Sequence, residues 1–81
     1  MNTSPAKYEN IATNVSFDAH SVFFSLADGR SISAPLAWFP RLMKATDKER
    51  GNWQFIGRGS GVHWRDIDED ISIPGLLGLP D

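Results

Sequence analysis

From Ile11 onward, apolar and polar positions alternate in short runs. Val15, Phe17 and Ala19 are separated by polar residues, the period of a strand with one buried face. Val22-Phe-Phe-Ser-Leu26 follows, rich in strand formers, and Ser31-Ile-Ser-Ala34 alternates again. Between them lies Ala27-Asp-Gly-Arg30. Asp28-Gly29 is a strong hairpin signal, because a type I′ turn needs two residues at positive φ. The pattern predicts a three-stranded antiparallel meander.

Pro35 stops the third strand. Leu36-Ala-Trp-Phe39 begins a helical segment, and Pro40 is tolerated only in a first turn, so one main helix is expected over about 39–50. Thr46-Asp-Lys-Glu49 has the spacing of a capping box, which supports a second helical turn through Arg50 before Gly51-Asn52 ends it. Trp53-Gln-Phe-Ile56 and Val62-His-Trp64 read as a two-stranded return around Gly57-Arg-Gly-Ser-Gly61, whose glycines permit unusual φ/ψ at three positions. Asp66 to Asp70 reads as exposed. Ile71 to Leu79 reads as a short apolar helical turn docking on the core. The expected fold is α+β: an antiparallel sheet of a three-stranded meander plus a two-stranded return, one main helix and a short C-terminal helical turn. Residues 1–9, polar and containing Pro5, read as a flexible tail before a single domain over 10–81.

Composition changes this picture little. A chain of 81 residues is near the size at which one hydrophobic core barely suffices. At 41% hydrophobic and 22% charged it belongs with globular rather than disordered chains. No run approaches the roughly 18 consecutive apolar residues of a membrane helix, and residues 1–7 lack the apolar core of a signal peptide. Cysteine is absent, which excludes disulfides and thiolate metal sites and fits a reducing compartment. The expected location is cytoplasmic, with no membrane partner.

Charge is unevenly spread about a net value of −2. Residues 41–65 carry six basic side chains (Arg41, Lys44, Lys48, Arg50, Arg58, Arg65) against Asp47 and Glu49, whereas residues 66–81 carry five acids and no base. The two segments either form a basic binding face or neutralise each other on folding, the commoner outcome in small domains.

Candidate chemistry concentrates in residues 38–71, which hold all three tryptophans, Trp38, Trp53 and Trp64. Gly57 to Gly61 lacks both the dinucleotide fingerprint and the Walker lysine, so a turn between strands outweighs a phosphate site. His63 has Asp66 and Asp68 nearby in sequence but no serine or cysteine in a nucleophile context. On a strand it faces away from Val62 and Trp64, which favours hydrogen bonding or contact over catalysis. Asp68-Glu-Asp70 lacks the order of a calcium loop, and His20 and His63 share no ligand spacing. No catalytic, metal or cofactor site is expected. Aromatic residues interleaved with arginine suit nucleic acid, but pI near 5.5 and the acidic run oppose it. A protein interface with Trp and Arg anchors fits the same residues without that penalty.

Several motifs occur in fixed order: Leu26-Ala-Asp-Gly-Arg30, Pro35-Leu-Ala-Trp-Phe-Pro-Arg-Leu42, Ala45-Thr46, Glu49-Arg50, Asn52-Trp53, Gly57 to Gly61, His63-Trp64 and Asp68-Glu-Asp70-Ile71. Over about residues 11–79 the chain resembles the small bacterial domain-of-unknown-function family 2442. The resemblance implies a short α+β protein, often encoded beside a second small uncharacterised protein of family 4160 and cast as the antitoxin-like member of the pair. It implies no catalytic residues. Phe39 stands where the family commonly has tyrosine, and Arg65 where it commonly has proline.

The candidate interface is therefore Trp38, Arg41, Arg50, Trp53, Arg58, His63, Trp64, Asp68 and Asp70. Arg41 and Arg50 can each donate bidentately to a carboxylate, and a pairing of either with Asp68 or Asp70 would pin the C-terminal segment to the helix. The expected function is a non-enzymatic, protein-binding regulatory module, antitoxin-like in its narrowest form. The alternatives are a nucleic-acid-binding regulator using the basic and aromatic stretch 38–65, and a phage or mobile-element inhibitor of a host complex acting through residues 66–81.

Overall fold

The computed structural model describes residues 7–79. Six strands form two three-stranded antiparallel sheets, an α+β arrangement with a few short helices between and after them. The first sheet is the expected meander: β1 (Ala12–Phe17), β2 (Ser21–Leu26) and β3 (Ser31–Pro35), in that spatial order. In β2 the alternation is clean, with Val22, Phe24 and Leu26 inward and buried. In β1 the buried residues Ala12 and Val15 are three apart, which a regular pleat would place on opposite faces. A shift in register between Ala12 and Asn14, against Leu26 and Ser25, inserts the extra residue that returns Val15 to the core face.

Two turns in this sheet differ from the expectation, for local reasons. Ala19 belongs to the β1–β2 connection instead of the strand, because Asp18 Oδ1 accepts from the amides of His20 (2.8 Å) and Ser21 (2.7 Å) and closes the chain there. The β2–β3 hairpin is not type I′. Only Gly29 has positive φ (94°), with Leu26 N–H donating to Arg30 O (2.8 Å) and Gly29 N–H to Leu26 O (3.0 Å). That is a three-residue loop whose last residue is left-handed, so Asp28 keeps an ordinary φ and its side chain is free for other work.

That work ties down the preceding chain. The Asp28 carboxylate accepts from Glu9 N–H (2.8 Å), Arg30 N–H (3.0 Å) and Arg30 Nε (2.9 Å), and Arg30 Nη2 reaches Asn10 Oδ1 (2.6 Å). The Arg30 guanidinium also lies 4.8 Å from the centre of the Tyr8 ring. Residues 1–6 of the expected tail lie outside the described residues. The Arg30 hydrogen bond, and then the Glu9 amide, hold the Asp28 carboxyl far below the usual value of 3.8. A depressed carboxyl contributes its stability in full above that usual value and loses it as pH falls further. Asp28→Asn is therefore expected to destabilise the fold at neutral pH and to flatten the acid limb of its stability curve, as urea midpoints between pH 2 and 7 will show.

The second sheet comprises β4 (Trp53–Ile56), β5 (Gly61–Trp64) and β6 (Glu69–Ser72), in that order. The expected two-stranded return thus has a third strand, and it forms a sheet of its own. By sequence, Asp66 to Asp70 reads as exposed and Ile71 onward as the C-terminal turn, yet Glu69–Ser72 is a strand. Asp68, left-handed at φ 52°, reverses the chain after a 3-10 turn at Arg65–Ile67 and lets it pair with β5. Ile71 then enters the core, and Pro74 sits in the first turn of the short C-terminal helix α3 (Ile73–Leu76), which Ser72 Oγ caps at Gly75 N–H (3.0 Å).

The single helix expected over 39–50 is two separate turns. A 3-10 turn, Leu36–Trp38, leads to α1 (Pro40–Met43), and α2 (Asp47–Gly51) follows a break at residues 44–46. The break is the capping box itself. Thr46 is extended (ψ 164°), its hydroxyl accepting from Glu49 N–H (3.1 Å) while the Glu49 carboxylate accepts from Thr46 N–H (2.8 Å). A helix cannot run through a residue that caps the next one.

The sheets meet across one core. Val22, Phe24, Leu36, Leu42, Val62, Trp64, Ile71 and Ile73 are among its buried members, and Trp64 stands edge-on to Phe17 (6.3 Å) and Phe24 (6.4 Å) of the first sheet. The glycine turn adds main-chain stitches on both sides: Ala12 N–H donates to Gly59 O (2.7 Å) and Ile73 N–H to Ser60 O (2.8 Å).

Candidate functional site

The nine sequence-selected residues divide between interior and surface. Arg50 serves the interior. Its Nε and Nη2 donate to the carbonyls of Leu42 and Met43 (both 3.0 Å) at the C-terminal end of α1, and its guanidinium lies 5.5 Å from the Phe17 ring centre. It does not pair with Asp68 or Asp70. Arg41 reaches toward Asp68, as expected, but its Nη1 donates to the backbone carbonyl and not the carboxylate. Arg50→Ala is expected to cost about 2 kcal/mol in urea unfolding, two charge-assisted bonds and a ring contact, and to leave partner binding unchanged.

The tryptophans separate in the same way. Trp64 is fully buried, its indole N–H donating to Arg50 O (3.0 Å), so it is a core residue and not a contact residue. Trp53 is half-buried on β4, its ring 5.2 Å from that of Phe55. Trp38 is 65% exposed on the 3-10 turn, and Met43 at the end of α1 is 49% exposed. Arg58 projects from the glycine turn, without a hydrogen bond or ion pair among the described residues.

The outward face of the second sheet collects the rest. Register sets Gln54, His63 and Asp70 side by side across β4, β5 and β6, with Ile56, Gly61 and Ser72 forming the next row. His63 Nδ1 and Asp70 Oδ1 are in close hydrogen-bond contact, which leaves Nε2 as the outward atom of the ring. Gly61 supplies no side chain, and a shallow groove of about 340 Å³ opens there, lined by Ile56, Ser60, Gly61, Asp70, Ile71, Ser72 and Pro74. Among the described residues, no group of three or more His, Asp or Glu side chains is placed to hold a metal ion. Among the described residues, no helix is long and apolar enough to cross a membrane.

Phe55, Ile56 and Met43 were not singled out by sequence. Phe55 and Ile56 are 41% and 40% exposed on β4, which is an edge strand. The signal was present: residues 53–57 contain no charge, unusual for a strand with one open edge.

A family model described as a protein of unknown function (DUF2442) matches residues 12–79. The chain belongs to that family. A crystal structure of a protein of unknown function from Rhodospirillum rubrum is similar, with a TM-score of 0.70 and 29% identity over 85% of this chain and 87% of that one. No curated protein matches. Within this DUF2442 member, the motif residues of the resemblance now have distinct duties. Arg50, Trp64, Glu49 and Thr46 build the domain, whereas Trp38, Arg58, His63 and Asp70 face outward or stand at the surface.

Proposed function

We propose that this DUF2442 protein is a non-enzymatic, protein-binding regulatory module that uses the open edge of β4 as its main contact. The observation that carries this reading is the edge itself. Self-contained domains blunt an edge strand with charge, proline or a bulge, and Trp53-Gln-Phe-Ile56 has none of these while exposing Phe55 and Ile56. Such an edge suits a strand supplied by a partner, whose main chain would complete the ladder and whose side chains would meet Phe55 and Ile56. Exposed Trp38 and Met43 offer a second apolar contact. The antitoxin-like role implied by the family resemblance is the narrower form, with the small protein encoded alongside as the partner.

Tagged protein drawn from its native host, with and without the neighbouring gene product, tests both forms. Recovery of one stoichiometric small protein is expected, with that recovery lost in Phe55→Lys. Phe55 is more than half buried and its ring lies 5.2 Å from that of Trp53, so the variant is expected to lose about 1 kcal/mol in urea unfolding and to remain folded. Recovery of nucleic acid alone would overturn the reading. The nucleic-acid alternative is weakened because Arg41 and Arg50 are already spent on backbone carbonyls. Steeply salt-dependent binding to DNA fragments is what it requires.

A further inference from the structure

The groove over Gly61 lies beside the β4 edge, on the same sheet, and shares only Ile56 with the strand-addition contact. From β4 to β6 its row is Ile56, Gly61 and Ser72, with Ser60 on the turn side and Asp70 on the other. Glycine lets Ile56 lie close over the floor: a Cβ at position 61 would stand 3.2 Å from Ile56 Cδ1 and 3.1 Å from the Ile71 carbonyl oxygen. Ile56 and Pro74 make the walls apolar, a shape for an aliphatic side chain.

The charge around the groove narrows the occupant. Asp70 is 64% exposed, and only its Oδ1 is engaged by His63. It lines the groove and belongs to a C-terminal segment, 66–81, that carries five acids and no base. One strand repeat separates the Gly61 row from the His63–Asp70 row, the same distance as between side chains i and i+2 of an extended peptide. Resting on the protein-binding reading, we infer that the groove seats an aliphatic side chain of an extended partner segment whose residue two positions along is arginine or lysine, paired with Asp70.

Amide spectra of the full ¹⁵N-labelled chain test this with acetyl-Ala-Leu-Ala-Arg-Ala-amide at millimolar concentration. Shifts are expected at Gly61, His63, Asp70, Ile71 and Ser72. Replacing the peptide's arginine by glutamate is expected to weaken binding about fivefold, the scale of an exposed charge pair. Asp70→Asn should erase that preference, and Ser60→Leu, which fills the groove from an exposed loop position, should remove the shifts. Shifts confined to other residues, no shifts, or equal binding of both peptides would overturn the assignment. If Ser60→Leu and Asp70→Asn still capture the host partner while Phe55→Lys does not, the groove assignment fails and the protein-binding reading stands. If Phe55→Lys also captures it, the strand-edge reading fails as well.

Discussion

Replacing Gly59 by alanine is expected to destabilise the domain by about 3 kcal/mol or more, and valine is expected to prevent folding. Two effects combine. The residue sits at φ 108°, beyond the left-handed well that an L-residue tolerates, and a Cβ there would stand 2.6 Å from the Ala12 carbonyl oxygen and 2.7 Å from Ile11 Cγ2. Neither atom is the end of a long, adaptable side chain: one is main chain and the other belongs to a branched residue. Relief would require the turn to withdraw from β1, which breaks the Ala12 N–H bond to Gly59 O. Gly29→Ala isolates the first effect, because Gly29 has a similar φ of 94° and nothing within 4 Å of the added carbon. That variant is expected to cost about 1 kcal/mol. Urea unfolding of both variants makes the comparison, and equal losses would show that the contact with β1 does not constrain Gly59.

Trp64→Ala is expected to cost about 4 kcal/mol, a large part of the total stability of a small domain. The indole fills the space between the sheets, edge-on to Phe17 and Phe24, and no part of it reaches water. Its N–H also satisfies the carbonyl of Arg50, a residue that itself caps α1. One side chain therefore joins β5, the first sheet and both helical turns. Trp64→Phe separates bulk from hydrogen bond: it restores most of the apolar fill but leaves the Arg50 carbonyl without its donor, and about half the loss should remain. Full recovery of the urea midpoint in Trp64→Phe would show that the hydrogen bond contributes nothing.

Period-two alternation made the first sheet legible, and glycine and proline marked its ends and the β4–β5 turn. The second sheet was half legible. The charge of Asp66 to Asp70 reads as an exposed segment and Ile71 as the start of a turn, and only the left-handed Asp68, invisible to periodicity, turns Glu69–Ser72 back onto β5. The split helix was written in Thr46 and Glu49, whose capping box implies a start and therefore an interruption before it. For the site, residue type ranked Trp64 and Arg50 as contact candidates because tryptophan and arginine serve interfaces and cores alike. Only three-dimensional placement separates them. The groove is legible only after strand register puts Gly61 between Ile56 and Ser72, residues far apart in sequence.

The division of the tryptophans gives the protein its own optical reporters. Trp64 sees no water until the core opens, so its emission follows unfolding. Trp38, 65% exposed, is open to a soluble quencher such as acrylamide in the free protein. A partner lying over the 36–43 segment would shield Trp38 and leave the Trp64 signal unmoved, whereas one confined to the β4 edge would act first on Trp53. A single unlabelled sample can thus distinguish where a partner sits from whether the domain has come apart.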